Sequence, residues 1–461
     1  MKTIPIRASA PPPTPPADPR WRWHRLLDAP HRLAFFAGAL VLGTSALWWA
    51  LVMLARSFGV FVPWALPPGT AHALLMGYGF MPLFFCGFLF TAGPKWLAQP
   101  PVDAASLRAP VIASLIGWAL FIVGTHASVL LAAFGLAISA CAFAALALRF
   151  ARLVHTSRSP DRVHACLVLC GCSVGVLLWF TAAGSLALGH HAIVRAATLA
   201  GLWGFIAVVF VSVSHRMVPF FSGSPLPRLD AWLLWLLAGA VLAEAPLAAA
   251  EALWWPLPRP VLAAAVTGEA AIGVLLLAQA VYWRRVQNLK PRLLTMLHLG
   301  FVWLGVTFAL SAASHAWRAI EPGAVGLGLA PIHALGAGFF GSTPLPTVSR
   351  VSAGHSGRPV APVDIGGGAF WLLQLATVLR LAASMWNTGA HVLLPIAAVA
   401  WAVAMLAWTW RNGRWYGTPR ADGRTGGRVE STIPSAAAVI TEAYAGRSFV
   451  RPPSQPPRRP A

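Results

Sequence analysis

The segment Ala127 to Leu148, ASVLLAAFGLAISACAFAALAL, carries no charged side chain and is followed at once by Arg149-Phe150-Ala151-Arg152. As a helix it is roughly 33 Å long at about 1.5 Å per residue, enough to cross a hydrocarbon core about 30 Å thick. In lipid such a run must satisfy its backbone groups internally, which leaves the helix as its structure.

The same pattern recurs along the chain. The apolar runs predict spans at 33–55, 70–92, 109–125, 127–148, 164–188, 193–213, 231–249, 260–283, 293–313, 324–345, 365–385 and 391–410. The expected fold is an all-α polytopic transmembrane bundle of about twelve spans over residues 33–410. A Pro-rich basic tail precedes it (1–32), and a basic tail follows it (411–461). The second tail has too little apolar surface to order itself, apart from a short helix near Ser435 to Ala445.

Composition agrees: 57% of residues are hydrophobic, 10% charged, and mean hydropathy is +0.68. The net charge of +21 would suggest nucleic acid in a soluble chain, but here the basic residues are expected in loops beside lipid headgroups. The bilayer, not nucleic acid, is the expected partner. With both termini inside, Lys and Arg concentrate in the inner segments, while the outer loops hold only Arg56, Arg259 and Arg318, and Arg195 and Arg380 fall within spans. That asymmetry predicts cytoplasmic termini. Residues 1–25 lack the apolar core of a secretory signal.

Polar groups inside a bilayer are costly, so they mark candidate sites. Only Glu244 and Glu269 lie within apolar stretches, leaving a carboxylate proton relay little to work with. Histidines are more plentiful. His72, His298 and His333 lie inside spans, and His126, His190, His191, His215, His315 and His391 at their ends. Neutral imidazole ligates haem iron or copper without bringing charge into lipid. His333 is followed by Gly336, Ala337 and Gly338, small residues that leave room for a flat ring or serve helix packing equally well. His298 and His333 could bracket one metal if spans nine and ten pair. The inner loop expected after span ten, Ser349 to Pro359, offers Arg350, His355 and Arg358, which suit carboxylates such as haem propionates, although such a loop is also expected to be basic. The His190-His191 pair reads as solvated. The five Cys read as packing residues, since Cys166, Cys170 and Cys172 do not share one helix face. There is no Walker A loop, dinucleotide fingerprint, HExxH or nucleophile elbow.

Four blocks of sequence together resemble the NnrS family of bacterial membrane proteins. They are His72-Ala73-Leu74-Leu75-Met76-Gly77 with Gly87-Phe88-Leu89-Phe90-Thr91-Ala92-Gly93-Pro94-Lys95-Trp96; His215-Arg216-Met217-Val218-Pro219-Phe220-Phe221; Leu297-His298 through Gly305; and His333-Ala334-Leu335-Gly336-Ala337-Gly338 with Ser349 through Pro359. The resemblance implies a haem- and copper-containing protein of the bacterial inner membrane, associated with the nitric oxide response. It implies His72, His298, His333 and His355 as metal ligands, and Arg350 and Arg358 as further cofactor-binding residues. The family's W-H-x-H-E is here Pro68-Gly69-Thr70-Ala71-His72-Ala73, so one His and one Glu are missing, which puts the copper in doubt. If the protein is an enzyme, the implied class is a haem-dependent oxidoreductase acting on NO or a related species. The competing readings are a multi-span transporter or metal/haem permease, and a non-catalytic sensor or assembly factor for respiratory enzymes.

Overall fold

The computed structural model describes residues 18–222, 231–286, 289, 292–321, 323–358, 364–386 and 388–423. The helix expected near residues 435–445 lies outside them. Among the described residues there is no strand, and eleven helices are long and apolar enough to cross a membrane. We number these with the segmented tenth in chain order: α1 Pro30–Ser57, α2 Pro68–Trp96, α3 Ala104–Ala127, α4 Val129–Thr156, α5 Val163–Ala187, α6 His191–Met217, α7 Ala231–Trp254, α8 Arg259–Arg285, α9 Arg292–Ile320, α10 residues 330–355, α11 Gly367–Met385 and α12 Ala390–Tyr416.

The tenth segment departs from expectation. It is helical in consecutive pieces, Ala330–His333, Ala334–Phe339, Phe340–Ser342 and Pro344–His355. It therefore starts later than its apolar run and continues through the stretch expected to be a loop. Gly326 (φ +63°) and Gly328 (φ +56°) hold the turn before it, a backbone region open to glycine at little cost. At its far end the polar sequence stays helical because α12 satisfies it. Trp408 Nε1 donates to Ser349 Oγ at 2.9 Å, and the Ser352 and Tyr416 hydroxyls lie 2.9 Å apart.

The beginning and end of the bundle meet. Arg32, 4% exposed, donates to the carbonyls of Tyr416 (3.1 Å) and Thr418 (3.0 Å), and Arg22 N donates to Gly417 O at 2.8 Å. These contacts order residues 411–423, which lack the apolar surface to order themselves. The chain thus crosses an even number of times and returns to the end where it began.

Helices α2 and α6 are the most enclosed of the long helices, and they and α10 each contain a π-helical turn: Leu75–Gly79, Leu202–Ala207 and Ala334–Phe339. They touch one another. Tyr78 OH donates to Ala197 O at 2.9 Å, Phe85 meets Phe210 at 5.2 Å between ring centres, and Phe210 meets Phe340 at 5.1 Å. The π-turn therefore recurs at every fourth helix, and such turns shift side chains relative to a regular helix.

Small residues set the close approaches elsewhere. A Cβ on Gly124 of α3 would fall 2.2 Å from Ala132 N of α4, and one on Gly338 of α10 would fall 2.7 Å from the Trp303 indole of α9. In lipid, where apolar surface gains nothing by leaving the solvent, such backbone proximity is the main source of helix association.

Candidate metal centre

At the end of the bundle opposite the chain termini, His72 in the second turn of α2 faces His333 in the first turn of α10. Their rings are nearly parallel, 12° apart, with centres 6.3 Å from each other. Trp49 of α1 stacks on the His72 ring at 3.9 Å and 24°, fixing it. His333 Nδ1 donates to Leu329 O at 2.9 Å; a carbonyl can only accept, so Nε2 keeps the lone pair. Metal-binding histidines are commonly oriented in this way. His72 Nδ1 is enclosed without a hydrogen-bond partner.

Two further features surround the pair. Arg380 of α11 lies close enough to act electrostatically on both rings. It donates to Ser384 Oγ at 2.5 Å and has no carboxylate partner among the described residues. Beside Gly336, one turn below His333, a Cβ would meet nothing within 4 Å, so that side of α10 has room.

The terminal end holds a second pair. His355, at the end of α10, lies 4.4 Å from His31 of α1 between ring centres, at 50°. His355 Nδ1 donates to Val351 O at 3.0 Å, and His31, 3% exposed, has an enclosed Nδ1 with no partner. Arg420 donates to His355 O at 2.9 Å, and the Asp422 carboxylate bonded to its guanidinium raises it further above its ordinary range. Arg350 and Arg358 belong to this end. They are separated from His333 by the length of α10, so they cannot hold the carboxylates of a group bound there. Arg358 donates to Thr418 Oγ1 at 3.2 Å and joins Arg411, Arg414, Trp410 and Trp415 around a basic pocket.

His298 stands apart from both pairs. It lines an apolar cavity with His215, Trp283, Phe301, Phe339 and Thr343, and its Nδ1 is enclosed without a partner. Helices α9 and α10 do pack together, but antiparallel, so the level of His298 is that of Thr343, roughly 15 Å of helix beyond His333. A Cβ on Gly300 would fall 2.8 Å from Thr343 Oγ1, which fixes this register. The two histidines do not bracket one ion. His215 instead pairs with His164, Nδ1 to Nε2 at 3.0 Å, and Arg216 bridges from there to Asp161 at 3.0 Å.

The remaining candidates are accounted for locally. His126 donates from Nδ1 to Pro63 O (2.9 Å) and accepts from Trp48 Nε1 (3.0 Å), leaving no free nitrogen. His190, His191 and His391 are exposed. Cys86 and Cys172 are buried, whereas Cys141, Cys166 and Cys170 are exposed. Among the described residues, no group of three or more His, Cys, Asp or Glu side chains is placed so as to hold a metal ion.

Pairs are what the site offers, and their spacings can be tested. With the ligating nitrogen about 2 Å from a metal, the ring centre is about 3 Å from it. Two rings across one ion then stand about 6 Å apart, and two at a right angle about 4.4 Å apart. The 6.3 Å of His72 and His333 fits the first spacing, and the 4.4 Å of His31 and His355 the second. His31, just ahead of the first apolar run, was not among the sequence candidates, and nothing local marked it. Its significance comes from the partner that α10 brings to it.

Fold and site together define a polytopic, all-helical membrane protein with paired histidines at both ends of its interior. The chain belongs to the NnrS family, whose model, described as NnrS protein, matches residues 25–420. No curated protein matches the chain.

Proposed function

We propose that the protein binds haem iron through His72 and His333 and copper through His31 and His355, in the bacterial inner membrane, and acts there in the response to nitric oxide. The observation that carries this reading is the parallel placement of the His72 and His333 rings at 6.3 Å. Membership of the NnrS family supports the choice of cofactors.

A haem iron held by the two histidines would supply a redox-active, electron-transferring centre. The chain's own residues supply the rest. The Leu329 carbonyl holds the His333 proton at Nδ1 and aims the other nitrogen; Trp49 stacks on the His72 ring; Arg380 offers a cation to a carboxylate; and Gly336 leaves its side of α10 open. Both rings are half-buried among apolar helices, where each of these polar contacts is stronger than in open water.

The transporter reading has less behind it. Transporters commonly carry two related halves, but the feature that recurs here, the π-turn in α2, α6 and α10, divides twelve segments by three.

Oxidised and reduced visible spectra of the detergent-purified full chain, with iron and copper analysis of the same sample, test the proposal. A Soret band with near-stoichiometric iron, lost in His72→Ala and in His333→Ala, is the expected result. A colourless, iron-free protein from haem-replete cells would overturn it.

A further inference from the structure

The apolar helices α7, α8 and α9 enclose a charged cluster that the metal sites do not use. Glu244 and Glu251 come from α7, Glu269 from α8, and His315 and Arg318 from α9. Glu244, Glu269 and His315 are 9%, 2% and 6% exposed. Glu269 Oε2 lies 2.8 Å from His315 Nδ1, and Glu251 Oε1 lies 2.6 Å from His315 Nε2. Arg318 donates to the same Glu251 oxygen at 3.0 Å, and its guanidinium stacks 3.2 Å from the Trp255 ring. From α6, Arg195 adds its positive field at Arg318.

Charge counting decides what the cluster holds. A ring that presents both nitrogens to carboxylates is satisfied as the imidazolium, with an N–H on each side. His315 and Arg318 then balance two carboxylates, Glu251 and Glu269. The third, Glu244, has no cation left. Its neighbour is the Glu269 carboxyl, within hydrogen-bond reach of it, and no other donor reaches the enclosed Glu269 Oε1. Two facing carboxylates in apolar surroundings repel strongly, and one proton shared between them removes the repulsion and fills the empty acceptor.

We infer that Glu244 and Glu269 form an intramembrane proton-binding site, connected through His315 and Glu251 to the end of the bundle away from the chain termini. Its ligand is a single exchangeable proton. Glu251 and Arg318, with side chains 22% and 19% exposed, form its opening. On release, the carboxyl O–H of the pair breaks and its proton is taken up by water at the Glu251–Arg318 opening, while His315 keeps both of its N–H protons. The cluster is then left with one more carboxylate and one proton fewer. This site stands independently of the metal proposal, since none of its residues belongs to either histidine pair.

Infrared spectroscopy of the full-length detergent-purified protein at neutral pH, in H2O and in D2O, reads the site through the C=O stretch of a protonated carboxylic acid. We expect such a band, shifted in D2O, lost in Glu269→Gln and in Glu244→Gln, and retained in Glu321→Gln, which alters an exposed acid outside the cluster. If a Gln variant does not fold, titration of the wild-type protein serves instead: the band must diminish by one carboxyl as pH rises. Absence of the band at neutral pH, its persistence in both cluster variants, or failure to shift in D2O would overturn the inference.

Discussion

His333 Nδ1 and Leu329 O, 2.9 Å apart, settle the tautomer of a histidine in the first turn of its helix and leave Nε2 as the nitrogen turned to other use. Opposite it stands His72, clamped by Trp49. The pair makes a prediction that separates the four histidines singled out from sequence. His72→Ala and His333→Ala should each abolish the haem spectrum, while His298→Ala should leave it unchanged. Reduced-minus-oxidised spectra of the three variants at equal protein concentration are the measurement, and loss of the haem in His298→Ala would refute the assignment.

The second pair should carry the second metal. His31→Ala and His355→Ala are expected to lower copper content severalfold without lowering iron, because the two sites lie at opposite ends of α10. Metal analysis of each purified variant decides this, and a parallel loss of iron would place both ions in one site.

Among the three arginines, Arg380 is the one near His72 and His333. Arg380→Ala should weaken haem retention by about ten- to a hundredfold, the worth of roughly 1.5–3 kcal/mol for one charge-assisted hydrogen bond. Arg350→Ala and Arg358→Ala should not. Transfer of haem to an apo-globin acceptor gives the relative off-rates, and equal rates for Arg380→Ala and the wild type would count against a carboxylate at Arg380.

Arg32 closes the bundle. Its removal in Arg32→Met leaves the carbonyls of Tyr416 and Thr418 without their donor, at a cost of about 2 kcal/mol or more. The expected consequences are a lower thermal midpoint and faster tryptic cleavage at Arg420. An unchanged cleavage rate would show that residues 417–423 are held by other contacts.

Gly338 has no room for a side chain against Trp303. Gly338→Val should cost about 1–3 kcal/mol by overpacking and, by pushing α10 from α9, should also loosen haem. Gly336→Ala, one turn closer to His333 and facing open space, should be tolerated in stability. A thermal-shift comparison of the two checks the difference.

The sequence by itself determined that this is a helical membrane protein, because uncharged runs long enough to cross a bilayer admit no other backbone arrangement. Eleven of the runs appear as long helices, most within about five residues of their expected bounds, with α4, α9 and α12 running on six to eight residues further at their C-terminal ends. It also marked His72 and His333 by their place inside predicted spans, and His355 by the basic loop expected after span ten, with all three in motifs shared with the NnrS family. It misread residues 349–355 as loop, since Ser349, Arg350 and Ser352 look solvent-facing until Trp408 and Tyr416 of α12 are brought against them. What only the tertiary structure decided is which polar groups meet. His72 finds His333, His31 finds His355, and Glu244, Glu251 and Glu269 gather around His315. The physical reason is that hydropathy reports how deep a residue sits along its own helix. Which helices touch, and in what register, is set by non-local close packing at residues such as Gly124, Gly300 and Gly338, and that information is spread across segments far apart in the chain.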